Sequence, residues 1–313
     1  MKRAFGSFSA ILLLAAVFSV PQARAENAAA PQRIIESATL VPVFDEARRQ
    51  LKEGKNPLVI FDIDNTMLYH AYYLGNEPWF GAVYDNYLTP LSKSNPQRFA
   101  AEERAITWMT VILMLNTPSM LTEDGFPGEI RALQQQGVKM IAQTSRNVLV
   151  AEHTIGEMRH FGIDFSSSSP FPDTFTFVPW EGARPVICSS GAIFGQLQDK
   201  GNILLAFMKK TAYRPDAVIF ADDSKKNIAS LGAALKTAGI PYIGVRYNKL
   251  DPMIEFYKKP EQLAASRVQL RSYYADGFIM PNEKAQALSK TAPVTVAQEL
   301  QYLFGPQAEP AVK

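Results

Sequence analysis

Two carboxylates two positions apart, Asp62 and Asp64, follow an apolar run, Leu58-Val59-Ile60-Phe61, and dominate the segment Asp62-Ile63-Asp64-Asn65-Thr66. The run is β-branched and aromatic, has Pro57 before it, and reads as a buried parallel strand. Acidic residues at the C-terminal end of such a strand stand where open α/β sheets bind ligands. Like charges this close raise each other's pKa unless a cation neutralises them. A divalent metal answers that need. With Mg²⁺ in place Asp62 would attack phosphorus and Asp64 would move a proton. The alternative is a solvated Asp-rich turn after a strand.

Two further strand ends weigh against that alternative. The apolar stretch Val138-Lys139-Met140-Ile141-Ala142-Gln143 ends in Thr144-Ser145-Arg146-Asn147. A third, Ala217-Val218-Ile219-Phe220-Ala221, ends in Asp222-Asp223-Ser224-Lys225-Lys226-Asn227. Between them Lys200-Gly201 opens a helix-like apolar run over residues 203–208. A lone Thr or Lys carries no signal; the ordered set at strand ends does.

That order, Asp-x-Asp, Thr, Lys and Asp-Asp, resembles the four motifs of the haloacid-dehalogenase-like (HAD) hydrolase superfamily, over roughly residues 55–247. The resemblance implies an α/β fold, a doubly wound Rossmann-like parallel sheet with a helical cap inserted after the first motif strand. It implies Asp62 as nucleophile, forming an aspartyl-phosphate that splits one hard step into two. Asp64 would serve as acid and then as base. Thr144, with neighbouring backbone N–H groups at Ser145, would hold a phosphoryl oxygen. Lys200 would place a compact positive charge on the phosphate and on Asp62. Asp62, Asp222 and the backbone carbonyl of Asp64 would hold Mg²⁺, whose few hard oxygen ligands leave room for water and substrate phosphate. Asp223 would orient Lys200 or a metal-bound water, and Asn227 would brace the site from the next helix. Arg146 has two open readings, a substrate contact or a partner for an acidic neighbour. Lys209 and Lys210 fall late in their helix, and Lys225 and Lys226 read as a solvated first turn.

Within the superfamily, Asp64 argues against the dehalogenases proper, which lack that second Asp and need no metal. Transporting ATPases are excluded by the absence of membrane spans after the N-terminal region. Secreted acid phosphatases of classes B and C share the early helical insertion, but Asn65 and Asp222-Asp223-Ser224 do not reproduce their signatures closely. The nearest likeness is to a little-characterised secreted bacterial domain-of-unknown-function branch. Phe61-Asp62-Ile63-Asp64-Asn65-Thr66, Thr144-Ser145-Arg146, Asp199-Lys200-Gly201 and Phe220-Ala221-Asp222-Asp223 match its pattern.

The N-terminus supplies an expected compartment. Lys2 and Arg3 precede an apolar stretch at 10–20, followed by Pro21 and Ala23-Arg24-Ala25. This reads as a secretory signal peptide over residues 1–25, cleaved before Glu26 and too short for a membrane span. A periplasmic or secreted bacterial protein follows, with the mature chain at 26–313. Removing Lys2, Arg3 and Arg24 takes the formal charge from +2 to −1. No basic stripe suggests nucleic acid. The lone Cys188 can form no internal disulfide and reads as a buried thiol in a strand.

With 313 residues and 47% apolar content, one large domain carrying an insertion fits better than two. Helices are expected over 43–53, 147–161 and 227–238, a strand over 242–246, and mostly helix from Asp251 onward. The insertion, 69–127, is too long for an ordinary loop. It carries Tyr72, Tyr73, Trp79, Phe80, Tyr84 and Tyr87, then a helix-like run at 102–115. Most of these aromatics are expected to form the cap's own core. A second excursion, 161–195, reads as a β-hairpin flap beside the core.

The expected function is an exported Mg²⁺-dependent phosphomonoester hydrolase acting on a small phosphorylated substrate. The competing class is an exported binding or host-interaction protein on the same scaffold, with weak or no catalysis, using the aromatic cap surface at Trp79 or Phe80. The intact acid pair counts against it, since a pure binder has no reason to bear the repulsion.

Overall fold

The computed structural model describes residues 31–171 and 173–308, so the expected signal peptide lies outside the described residues. The chain enters through β1 (Gln32–Ser37) and α1 (Val41–Lys52) to reach β2 (Pro57–Phe61). A short strand, β3 (Leu68–His70), leads into α2 (Glu77–Val83), a π-turn at Tyr84–Leu88, α3 (Thr89–Ser94) and the long α4 (Pro96–Asn116). The chain returns through β4 (Ser119–Leu121), then α5 (Phe126–Gln135), β5 (Lys139–Thr144), a 3-10 turn at Val148–Val150 and α6 (Ala151–His160). Next come β6 (Phe175–Phe177), β7 (Val186–Ser189), β8 (Ala192–Phe194) and α7 (Lys200–Thr211). Then follow β9 (Ala217–Asp222), α8 (Lys225–Thr237) and β10 (Tyr242–Tyr247). Four helices end the described chain, α9 (Asp251–Tyr257), α10 (Pro260–Asp276), α11 (Asn282–Thr291) and α12 (Val296–Phe304).

One eight-stranded sheet runs β1-β10-β9-β2-β5-β8-β7-β6, parallel from β1 to β8 and antiparallel where β7 and β6 are added. Every residue of β2 is buried, as a strand covered on both faces requires. Its side chains alternate. Val59 and Phe61 join Met140, Ala142, Ile219 and Ala221 beneath α1, α5 and α6. Leu58 and Ile60 join Ile141, Val218 and Phe220 beneath α7 and α8. The fold is mixed α/β, a large, mostly parallel central sheet with helices on both sides. Register then does the positioning. Phe61 lies opposite Ala221, and the Asp62 N–H donates to the Ala221 carbonyl at 2.9 Å, so Asp62 and Asp222 leave adjacent strands side by side.

Three features differ from the sequence reading. Strand β1 is largely exposed and lacks the apolar signature of the inner strands, which is why it escapes pattern reading. The 161–195 excursion is no separate flap: β8 pairs in parallel with β5, opposite Ala142, and carries β7 and β6 as an extension of the main sheet. The insertion has its neck at the antiparallel β3–β4 pair, Leu68 opposite Leu121, and Pro127 already belongs to α5 on the sheet. Its aromatics are not packed only among themselves. Trp79, Tyr87, Ile106, Met109 and Leu113 share one apolar cluster with Leu270, Leu300 and Leu303 of α10 and α12.

Helix α4 is apolar on two sides. Ile106, Met109 and Leu113 point into that cluster, while Trp108, Ile112 and Leu115 lie exposed on the other. No helix among the described residues is long and apolar enough to cross a membrane.

Candidate active site

The turn after β2 is tight. The N–H groups of Met67 and Leu68 both donate to the Ile63 carbonyl at 2.9 Å, and Asn65 takes the left-handed conformation, φ 58°. Asn tolerates that backbone better than most side chains. Its amide donates to Glu77 at the start of α2, 3.2 Å away. Thr66 is fully buried, and its hydroxyl oxygen accepts the Asp223 N–H at 3.1 Å, locking the first acidic turn to the second.

Lys200 is the first helical residue of α7, and Asp199 caps that helix by accepting from the Asn202 N–H at 2.8 Å. Gln143 of β5 donates to the Lys200 carbonyl at 2.8 Å. Held so, the Lys200 ammonium donates to Asp62 at 2.6 Å and to Asp222 at 2.7 Å, all three side chains being buried. Burial works against the Lys200 charge, but Asp222 and Asp62 outweigh it and hold its pKa above the usual lysine range. Asp222 also accepts from the Ser224 N–H at 2.7 Å and from the Asn227 amide at 3.1 Å.

One carboxylate oxygen each from Asp62, Asp222 and Asp223 lie within 4.8 Å of one another. Burial, then the Asp62 and Asp222 charges, push Asp223 up to about 9. Burial also pushes Asp62 above the carboxylate range, against the pull of Lys200 and with Asp222 and Asp64 adding to it. Lys200 alone does not balance three carboxylates. A hard divalent cation would, and three convergent oxygen donors suit Mg²⁺. The residues therefore fit the metal implied by the resemblance, with Asp223 inside the oxygen cluster and not behind it.

Asp64 points elsewhere. Its two oxygens accept from Arg146 Nε at 3.1 and 3.2 Å, and Oδ1 accepts from Nη2 at 2.9 Å. Burial raises the Asp64 pKa, but the Arg146 charge and hydrogen bonds more than offset this and hold it below the usual range. Arg146 reaches back to Glu157 and Thr154 of α6. Of its two open readings, the described geometry has the acidic pairing. Thr144 ends β5 fully buried, with its hydroxyl accepting the Arg146 N–H at 3.0 Å, and Ser145 follows at the rim, half-buried. The structure thus gathers Asp62, Lys200, Asp222, Asp223 and Asn227 in one group, and Asp64, Thr144 and Arg146 in an adjoining one. Sequence reasoning missed Glu77, Thr154 and Glu157. They lie on helices with no local motif, and only the fold brings them to the strand ends.

An α/β protein with acidic strand ends around one buried lysine is the class that these observations define. The chain belongs to the DUF2608 family, described as "Protein of unknown function", whose model matches residues 41–284. Its similarity extends to chlamydial proteins named "Putative outer membrane protein". One from Chlamydia trachomatis serovar D is 25% identical over 228 residues, covering 72% of this chain and 81% of the relative. Another, from Chlamydia pneumoniae, is 24% identical over 253 residues, covering 77% and 88%. A third, from Chlamydia muridarum, is 23% identical over 213 residues, covering 67% and 76%.

Proposed function

We propose that this chain is an exported, Mg²⁺-dependent phosphomonoester hydrolase of the HAD type that works through an aspartyl-phosphate on Asp62. The observation that carries the reading is Lys200 bridging Asp62 and Asp222 beside Asp223, at the C-terminal ends of two adjacent parallel strands. Phosphoryl transfer needs positioning and charge neutralisation more than any other chemistry. Asp62 attacks phosphorus, the ester P–O bond breaks, and the leaving oxygen takes a proton from the Asp64 carboxyl. Water then attacks the same phosphorus, its proton passing to Asp64, and the phosphate leaves as Asp62 is restored. Lys200 keeps Asp62 oriented throughout, while Thr144 and the N–H groups after it suit a phosphoryl oxygen. Asp62 and Asp222, with Asp223 or the backbone carbonyl of Asp64, would hold Mg²⁺, which supplies positive charge for the phosphate oxygens. On this reading α2–α4 are the cap over a HAD core.

An envelope or secreted location is supported by the N-terminal sequence pattern and by the names of the chlamydial relatives. The decisive experiment is phosphate release from a generic aryl phosphate with Mg²⁺, comparing wild type with Asp62→Asn. Loss of release in the variant is expected, and equal turnover would remove the covalent mechanism.

A second reading, an exported interaction protein, draws on the exposed Trp108, Ile112 and Leu115 stripe. It does not draw on Trp79, which is 1% exposed inside the shared helical core. A protein without turnover that loses a macromolecular partner on Trp108→Ser would favour it.

A further inference from the structure

Arg146 is a cation with 1% of its side chain exposed, so its charge must be met from within the protein. Every guanidinium nitrogen is engaged. Nε and Nη2 donate to Asp64, and Nη1 donates to Glu157 at 2.7 Å and to the Thr154 hydroxyl at 2.9 Å. Nη2 also lies 3.5 Å from His70 Nε2. The other Glu157 oxygen accepts from the Ser119 hydroxyl. Nothing on this guanidinium is left over for a phosphate.

We propose that Arg146 is a positioning residue: gripped from behind by Glu157 and Thr154, it holds Asp64 as the base for the water that releases phosphate from Asp62. The inference rests on the phosphatase reading above. A carboxylate offers about four acceptor positions. Contacts from Nε to both oxygens and from Nη2 to Oδ1 use three of them, leaving Oδ2 with acceptor capacity. The Asp64 side chain keeps 34% of its surface exposed, so water can reach the carboxylate. A planar fork fixes the plane of a carboxylate, which a lysine point charge cannot do. Helix α6 holds the far side of the fork, so Glu157 and Thr154 fix the guanidinium that orients the base.

In the step concerned, water oxygen bonds to phosphorus and the bond from phosphorus to the Asp62 oxygen breaks. The electron pair returns to Asp62 as carboxylate, the water proton passes to Asp64, and inorganic phosphate departs. The preceding step, with an aryl phosphate, expels an aryloxide that leaves without a proton. Loosening the fork should therefore slow the second step and spare the first.

The test is rapid-mixing kinetics of the full chain on p-nitrophenyl phosphate with Mg²⁺, for wild type, Arg146→Lys and Glu157→Gln. Glu157→Gln is the variant that guards against misfolding, because it keeps the shape of the grip and does not touch Asp64. Both variants are expected to give a burst of one p-nitrophenolate per chain, then a steady rate about ten-fold or more below wild type, with KM no higher. A raised KM without a burst would make Arg146 a phosphate contact. Equal slowing of both phases with a lowered Tm would make it fold support only, and unchanged kinetics would give it no role. Each of these overturns the assignment while leaving the phosphatase reading intact. No p-nitrophenolate release by wild type overturns both.

Discussion

Trp79 donates its indole N–H to Glu299 at 2.8 Å, joining the first helix of the insertion to the last helix of the described chain. Both side chains are buried among the residues shared by α2, α4, α10 and α12. The C-terminal helices thus complete the insertion's core, although they follow it in the chain by well over a hundred residues.

The burial of Glu299 makes stability pH-dependent. Burial pushes the Glu299 carboxyl up to about 7 from an ordinary glutamate value of 4.5, against the pull of the Trp79 donor and of Arg267. The folded form therefore holds a proton that the unfolded chain has released. The stabilisation is complete below the unfolded pKa and is lost as pH rises through about 7. Glu299→Gln keeps an acceptor for Trp79 and removes the titration. Urea midpoints from pH 5 to 8 should show the variant gaining on wild type by up to about 3 kcal/mol. A constant difference across that range would place the titration elsewhere.

Lys200 sits between two buried carboxylates, so its removal leaves both without a counter-charge. Lys200→Met should cost about 3–5 kcal/mol, the range for breaking a buried ion pair. Adding Asp62→Asn to Lys200→Met removes one orphaned charge. The double variant should unfold at higher urea than Lys200→Met alone, a non-additivity expected of groups in direct contact. Strictly additive losses would mean that the ammonium and Asp62 do not interact in solution.

The strand ends were legible in the sequence because buried parallel strands are continuous apolar runs and their acidic termini break the pattern abruptly. Asp62, Thr144 and Asp222 each stand at such a break. Lys200 was legible through its place at a helix start between two of those strands. What lies across the fold was not. Glu157 is an ordinary charged residue on α6, and nothing in its neighbourhood announces that it reaches Arg146. The partner helices of the insertion begin at residue 260, long after the insertion closes, so no local pattern ties Trp79 to Leu300. β6 to β8 misled because short strands of three or four residues look alike as a hairpin or as a sheet edge.

Gly201 tests how α7 delivers Lys200. A Cβ there would meet the Ser230 carbonyl oxygen and the Ala234 Cβ, each at 2.8 Å, and the Leu231 Cα at 3.2 Å. Backbone on α8 cannot yield as a flexible side chain would. Alanine gains up to about 1 kcal/mol of helix propensity, but overpacking of this kind costs about 1–3 kcal/mol. Gly201→Ala should therefore lower the unfolding midpoint. It should also reduce kcat, because the first turn of α7 must shift and carries Lys200 with it. A more stable variant with unchanged kcat would show that α7 and α8 pack less closely than described.

The acidic trio predicts a specific metal response. Ligand binding to the folded state alone stabilises by about 2.7 kcal/mol at a hundred times Kd, so Mg²⁺ should raise the Tm of wild type. Asp223 is pushed up to about 9 and so is protonated at neutral pH without metal, and Asp223→Asn, which is neutral too, should be no less stable than wild type there. With Mg²⁺ its upward shift should shrink, because an oxygen donor of the cluster is gone. Asp64→Asn should lower the starting Tm by stranding Arg146, yet keep the Mg²⁺ shift, since its side chain faces the guanidinium. If Asp64→Asn abolished the shift and Asp223→Asn preserved it, the ion would sit on the Asp64 side of the site, and Asp223 would be only a neighbour.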